Sequence, residues 1–310
     1  MPSAVQILLI TVGVLQLGVG TSLNSCILVF SFKNLKNRLS VNPTNLIYSV
    51  KGLVNIFLLL VLTTENVATI LWPNVLLNRE LHLTMTFLML SPIYYNYWLT
   101  GWLCAHYCLS ISNFTHKLLV GFKRFLSSFL PRVLLLSAII SFVMSVLSIW
   151  EIHISQEPPS TNSTQDAPSI SVVYFIPKAC RLVATILGCC LPLNLALVSI
   201  RVTTSSLIRH MTKMKQNFSG NKGPNLQVLI NTTRTMTLFL ALSVISYIIC
   251  FVFLSGTSSY DTMIISFLPI MTFPLIEAVI IIQAVPKLRN MVVGKVCAGT
   301  RWSTEIENRT

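Results

Sequence analysis

The sequence predicts an all-α membrane protein, a bundle of seven membrane-spanning helices. Composition is the first observation behind this. Of 310 residues, 53% are hydrophobic and 10% charged, and mean hydropathy is +0.72, whereas a soluble domain carries about a quarter charged residues. The second is a count of apolar runs of about 20 residues or more, the length that crosses a bilayer core. They stand near 4–32, 44–72, 83–112, 131–154, 178–208, 229–255 and 262–284. The third is the placement of charge. Segments 33–39, 113–132, 201–234 and 285–310 hold 18 of the 22 Lys and Arg but only two of the nine acids, Glu305 and Glu307. The net charge of +13 therefore lies between apolar runs, not on one polar face, which points to a membrane and away from nucleic acid.

Seven spans place the two termini on opposite sides. The excess of positive charge then puts the C-terminus in the cytoplasm and the three-residue N-terminal stub outside. The first run, Ala4 to Phe32, is too long for a cleavable signal peptide and lacks a basic leader. The third span is an aromatic wall. Trp98, Trp102 and His106 recur every four residues on one helix face, and the stretch turns polar from Ser110 to His116 and basic at Lys117, Lys123 and Arg124.

After the fourth span comes an outward loop, 155–177, whose Pro, Ser and Thr content reads as coil. It carries the glycosylation triplet Asn162-Ser163-Thr164. Matching triplets at Asn113, Asn217, Asn231 and Asn308 fall inside or within the membrane and should stay bare. Pro92, Pro192, Pro269 and Pro274 stand within helical runs, where they kink or loosen the helix. The sixth span has no proline, and no repeat relates the two halves, which weighs against an inverted-repeat transporter.

Seven of the eight cysteines lie in apolar runs and none in loop 155–177, so no disulfide anchors that loop. Cys104 and Cys108 share a helix face from which His106 points away, so no metal site emerges. No nucleophile elbow, phosphate loop or zinc-protease pattern is present, and an enzyme is not expected.

Ionisable residues inside a bilayer are rare and face a bundle interior or a water-filled cavity. Here they are Lys51 and Glu65 in the second span and Glu277 in the seventh, with Lys178 and Arg181 near the outer end of the fifth. Arg201 and Arg234 lie close enough to the cytoplasm to snorkel. Glu65 fits either a snorkelling rim residue or a pocket carboxylate.

Several short motifs resemble those of the type 2 (bitter) taste receptor family of G-protein-coupled receptors. Ser112-Asn113-Phe114-Thr115-His116 resembles that family's Ala-Asn-Phe-Ser-His at the close of the third span. Leu191-Pro192, followed by SSLIRHMTKM at 205–214, resembles its fifth span and Ser-Leu-x-x-His-x-x-x-Met exit. Pro286-Lys287-Leu288-Arg289 resembles its Pro-Lys-Leu-Lys, and Asn24 and Leu39-Ser40 also fit. Departures mark a divergent member. Lys51 replaces an Arg, Leu229 to Thr235 reduce the sixth-span signature, Glu277-Ala278 stand where the family has His-Ser, and Val285 replaces an Asn. The vomeronasal type 1 family is the nearest alternative, but it links the third span to the second outer loop by a disulfide that this chain lacks. A small transporter is the other, and the aromatic column of the third span looks like a closed floor.

The resemblance implies one receptor domain over 1–310, in the plasma membrane among lipid, with a cytoplasmic tail at 285–310. It implies a mostly apolar pocket in the outer half of the bundle, for small hydrophobic bitter compounds and without a cofactor. Trp98 aligns with the pocket tryptophan and Trp102 lies a turn deeper; Glu65, Asn66, Tyr94, Arg181, Phe267 and Ile270 surround them by helix phase and depth. It implies a gustducin-like heterotrimeric G protein as partner, met by His116, Lys123, Arg209, His210, Lys213 and Lys215, for which ordinary inside-positive charge is the other explanation. Lys51, Glu277 and Asn24 each lie about eight residues, ~12 Å, from the cytoplasmic end of their spans. Charges at such depth cost roughly 2.5–3.5 kcal/mol each. A Lys51–Glu277 ion pair with Asn24 as hydrogen-bonding neighbour is therefore expected to lock spans one, two and seven. The alternative is two separate residues facing an inner vestibule.

Overall fold

The structure, a computed structural model, describes residues 4–36, 43–72, 78–111, 117–149, 183–184, 186–217, 224–254 and 260–293. Seven long helices run through them. They are α1 (Ala4–Lys36), α2 (Pro43–Leu71), α3 (Arg79–Ile111), α4 (Lys117–Ile149), α5, α6 (Pro224–Leu254) and α7 (Tyr260–Ala284). α5 opens as a π-helical turn, Ile186–Cys190, and continues as Leu191–Asn217. A short α8, Pro286–Val293, turns 107° away from α7. Among the described residues, five helical stretches are individually long and apolar enough to cross a membrane, and the bent α7–α8 pair is a sixth if taken together.

Contacts show how the helices alternate. Gly13 of α1 lies against Asn66 of α2, Gly20 against Leu59, and Asn24 is bonded to Asn55, so α1 and α2 are antiparallel. The glycines permit the approach. A Cβ on Gly20 would stand 2.5 Å from Leu59 Cδ1, and small residues let membrane helices close to this distance. α3 and α4 are antiparallel through Tyr94–Ser148 and Trp102–Ser137. On α4, Ser137, Ser141, Ser145 and Ser148 form a buried stripe. Each hydroxyl donates to the carbonyl four residues earlier, so none of these four hydroxyls is left bare.

α3 is the central helix. It packs against α2, α4, α5 and α6, and every other long helix shows large apolar side chains on its outer face while α3 shows none among its described side chains. Enclosure explains why its sequence can be rich in Tyr, since its sides meet protein.

Proline shapes two helices visibly. Pro192 has no N–H to donate, and its ring crowds the carbonyl of residue 188, so the preceding backbone widens into the π turn. Asn194 Nδ2 donates to the Cys190 carbonyl at 2.8 Å, where the π turn passes into the α-helix. Pro286 ends α7 and starts α8, where a proline belongs in the first helical turn. Leu288 is fully buried while Lys287 and Arg289 are exposed, so α8 lies with one apolar side on the bundle.

α4 begins at Lys117 rather than near 131. Residues 117–130 hold many helix formers and no proline, so the rod extends past its membrane-crossing part, Phe129–Ile149. For the same reason α5 runs on to Asn217. Loop 155–177 lies outside the described residues.

Candidate functional site

Two large apolar clusters dominate the interior of the described residues. One gathers Leu58, Leu62, Leu90, Tyr94, Ile270 and Met271; the other gathers Ile27, Tyr48, Leu103, Phe239, Ile281 and Leu288, at the end where α8 sits. Along α2 and α7 the two clusters are separated by a polar layer at Lys51, Asn55 and Glu277.

The layer is a closed ring of hydrogen bonds. Lys51 Nζ donates to Glu277 Oε1 at 2.6 Å, with both side chains fully buried. It donates again to Asn96 Oδ1 at 3.3 Å. Asn96 Nδ2 donates to Asn55 Oδ1 at 2.9 Å, and Asn55 Nδ2 returns to Glu277 Oε2 at 3.1 Å. Asn55 Nδ2 also reaches Asn24 Oδ1 at 3.2 Å, and Asn24 Nδ2 caps the Gly20 carbonyl at 2.8 Å. Lys51 lies 5.5 Å from the ring centre of Phe239, a cation–π distance. Every side-chain nitrogen and oxygen of the ring is therefore used, and its charge sums to zero. Such a network is tolerable in a bilayer only when fully satisfied.

The expected ion pair is present in the geometry, but Asn24 reaches it through Asn55. The network also spans more helices than α1, α2 and α7, since Asn96 brings in α3 and Phe239 brings in α6. Asn55 and Asn96 were not foreseen from the sequence. Asn55 had a signal, standing one turn after Lys51 on the same face of an apolar run. Asn96 had only its polarity among aromatics.

A second pair ties the α8 end, where the Tyr48 hydroxyl of α2 is hydrogen-bonded to the Tyr107 hydroxyl of α3.

The residues expected in the pocket fall into two groups. Tyr94, Trp98 and Trp102 lie on α3. The Trp98 and Trp102 rings stack with centres 6.1 Å apart and 23° between planes. Trp102 Nε1 donates to Ser137 of α4 at 2.8 Å, whereas the buried Trp98 Nε1 meets no described acceptor. Tyr94 bonds to Ser148 of α4 at 3.1 Å and packs on Gly188 of the π turn. Glu65 and Asn66 lie on α2, buried, with Asn66 against Gly13 of α1 near Met271 of α7. Ile270 shares the apolar cluster of Tyr94 with Leu58 and Leu62 of α2. Glu65 is 2% exposed, so it is not a rim residue.

Arg181, His116 and Asn162 lie outside the described residues, as do the side chains of Phe267, Lys123, His210, Lys213 and Lys215. Arg209 is exposed near the end of α5. A crevice of about 410 Å³ between α2, α3 and α4 is lined by Leu53, Val54, Phe57, Ser91, Pro92, Tyr95 and Ala138, and holds none of the expected pocket residues.

Comparison with known proteins gives one consistent result. The family model described as taste receptor protein (TAS2R) matches residues 1–298. The chain is similar to taste receptor type 2 member 40 of Gallus gallus, 28% identical over 205 residues that cover 64% of this chain and 61% of that protein. It is also similar to member 41 of Rattus norvegicus, 28% identical over 159 residues, 49% of this chain and 50% of that one. With member 9 of Pongo pygmaeus it shares 25% identity over 299 residues, 93% of each. Over the first two, the chain spans about half to three fifths of the relative's length.

Proposed function

This chain belongs to the TAS2R family of taste receptors, its bundle is of the seven-helix G-protein-coupled receptor type, and we propose that it detects small, mostly hydrophobic bitter compounds and activates a gustducin-like heterotrimeric G protein. The match over residues 1–298 carries this reading. The orientation that goes with it is an extracellular N-terminus and a cytoplasmic C-terminus in the plasma membrane, which the basic connections support.

The ligand would enter the half of the bundle away from α8, where Trp98, Tyr94, Glu65, Asn66 and Ile270 supply an apolar wall with few polar anchors. Trp102, Arg181 and Phe267 complete the candidate set. Binding shifts the receptor by its differential affinity for two states. The ring of Lys51, Asn96, Asn55 and Glu277 is well placed to hold the resting state, because it joins α2, α3 and α7 in one circuit. The G protein would meet the basic α8 end, at Arg209, with Lys123, His116, His210, Lys213 and Lys215 as the further candidates from the sequence.

The test is a cell-based second-messenger response to a panel of bitter compounds. Agonist responses are expected that Trp98→Ala abolishes or retunes at equal surface expression. Silence toward the whole panel at full surface expression would contradict the reading.

A further inference from the structure

Burial of a polar side chain without a partner is costly, and of a carboxylate more so. Two neighbouring residues of α2 break this rule together. Glu65 Oε2 is buried and accepts no hydrogen bond from a described residue, and the same holds for both amide atoms of Asn66. The two side chains are 2% and 1% exposed. They sit about 21 Å along α2 from the closed ring at Lys51, where every polar atom is matched. Leu58, Leu62 and Glu65 share one helix face, and the two leucines pack with Tyr94, Ile270 and Met271. Glu65 therefore lies on the inward stripe, one turn beyond Leu62.

We propose that Glu65 and Asn66 form a subsite for the protonated amine of an amphiphilic ligand whose apolar body lies on Leu62, Tyr94, Ile270 and Met271. This rests on the receptor reading and narrows its ligand class. A cation supplies what the site lacks, a positive charge and N–H donors for Glu65 Oε2 and Asn66 Oδ1. Asn66 Nδ2 lies against Gly13 of α1, so Oδ1 is the atom this amide offers to the ligand. A neutral apolar compound of equal size would leave the carboxylate bare and gain only the apolar contact.

The experiment uses the full-length receptor in lipid nanodiscs. The probes are a set of diarylalkyl dimethylamines, each matched to the neutral isostere in which C–H replaces the protonated nitrogen. Bound ligand raises the thermal midpoint by mass action. Amines are expected to raise it by several degrees more than their isosteres, Glu65→Gln to erase that difference, and Glu65→Asp to keep part of it. A measurement on the unmutated receptor makes the result independent of variant folding. Dicyclohexylcarbodiimide labels carboxyls in apolar surroundings, and the amines, not the isosteres, should protect Glu65 from it severalfold by mass spectrometry. Equal midpoints for amines and isosteres, a difference that survives Glu65→Gln, or equal labelling with both probes overturns the subsite. Cellular responses to neutral agonists that persist in Glu65→Gln leave the receptor reading standing in that event.

Discussion

Lys51 of α2 and Glu277 of α7 meet at 2.6 Å with neither side chain exposed. Asn96 and Asn55 close the circuit behind them, each using its amide in both senses. The pair is thus a junction of helices rather than an isolated salt bridge.

Breaking one partner leaves a charge buried and uncompensated, a loss of about 3–5 kcal/mol for such pairs. Lys51→Ala and Glu277→Ala are each expected to lower thermal stability or raise basal signalling, and the double variant to cost far less than the sum. Coupling of roughly 0.5–3 kcal/mol is the range for residues in one network. Lys51→Glu combined with Glu277→Lys should recover part of what either single reversal loses. Additive single effects with no recovery would show that the pair does not act as a unit.

Close helix approach gives a second, sharper contrast. A Cβ on Gly101 would stand 3.0 Å from the Pro192 carbonyl oxygen, a backbone atom of α5 that cannot swing aside. One on Gly18 would meet nothing within 4 Å. Gly101→Ala should lower stability by about 1–3 kcal/mol, as overpacking does. Gly18→Ala should be neutral or stabilising, by up to roughly 1 kcal/mol, since glycine is the poorer helix former. Thermal midpoints of the two variants in nanodiscs decide it, and equal shifts would mean that α3 and α5 do not pack so closely.

Much of the fold was legible because a bilayer imposes length and apolarity on every span that faces it. α1, whose outer face is apolar along Ile7, Leu8, Leu15 and Val19, announces itself. α3 was read by its aromatic stripe instead, and its enclosure explains its lower apolarity. The Lys51–Glu277 pair could be anticipated from shared depth and opposite charge, both of which sequence records. Asn96 could not, because the rotation of α3 about its axis, which turns that amide toward Lys51 and Trp102 toward Ser137, follows from packing among four helices. The π turn before Pro192 was likewise hidden, since a proline announces a break but not the form it takes.

Orientation carries its own test. If loop 155–177 is extracellular, glycan should be found at Asn162 and at no other triplet. Asn162→Gln is expected to remove the glycosidase-sensitive mass shift completely. A residual shift would place another triplet outside and reverse or redraw the topology.

The most direct measurement is nucleotide exchange on purified components. The receptor in nanodiscs is mixed with a gustducin-like heterotrimer, and the rate of GDP release is followed with and without a bitter compound that stimulates cells expressing the receptor. The compound should accelerate release severalfold over the basal rate, and Trp98→Ala should weaken that acceleration. Release that stays at the basal rate, at concentrations that saturate the cellular response, would contradict the assignment of this chain as the G-protein-activating receptor.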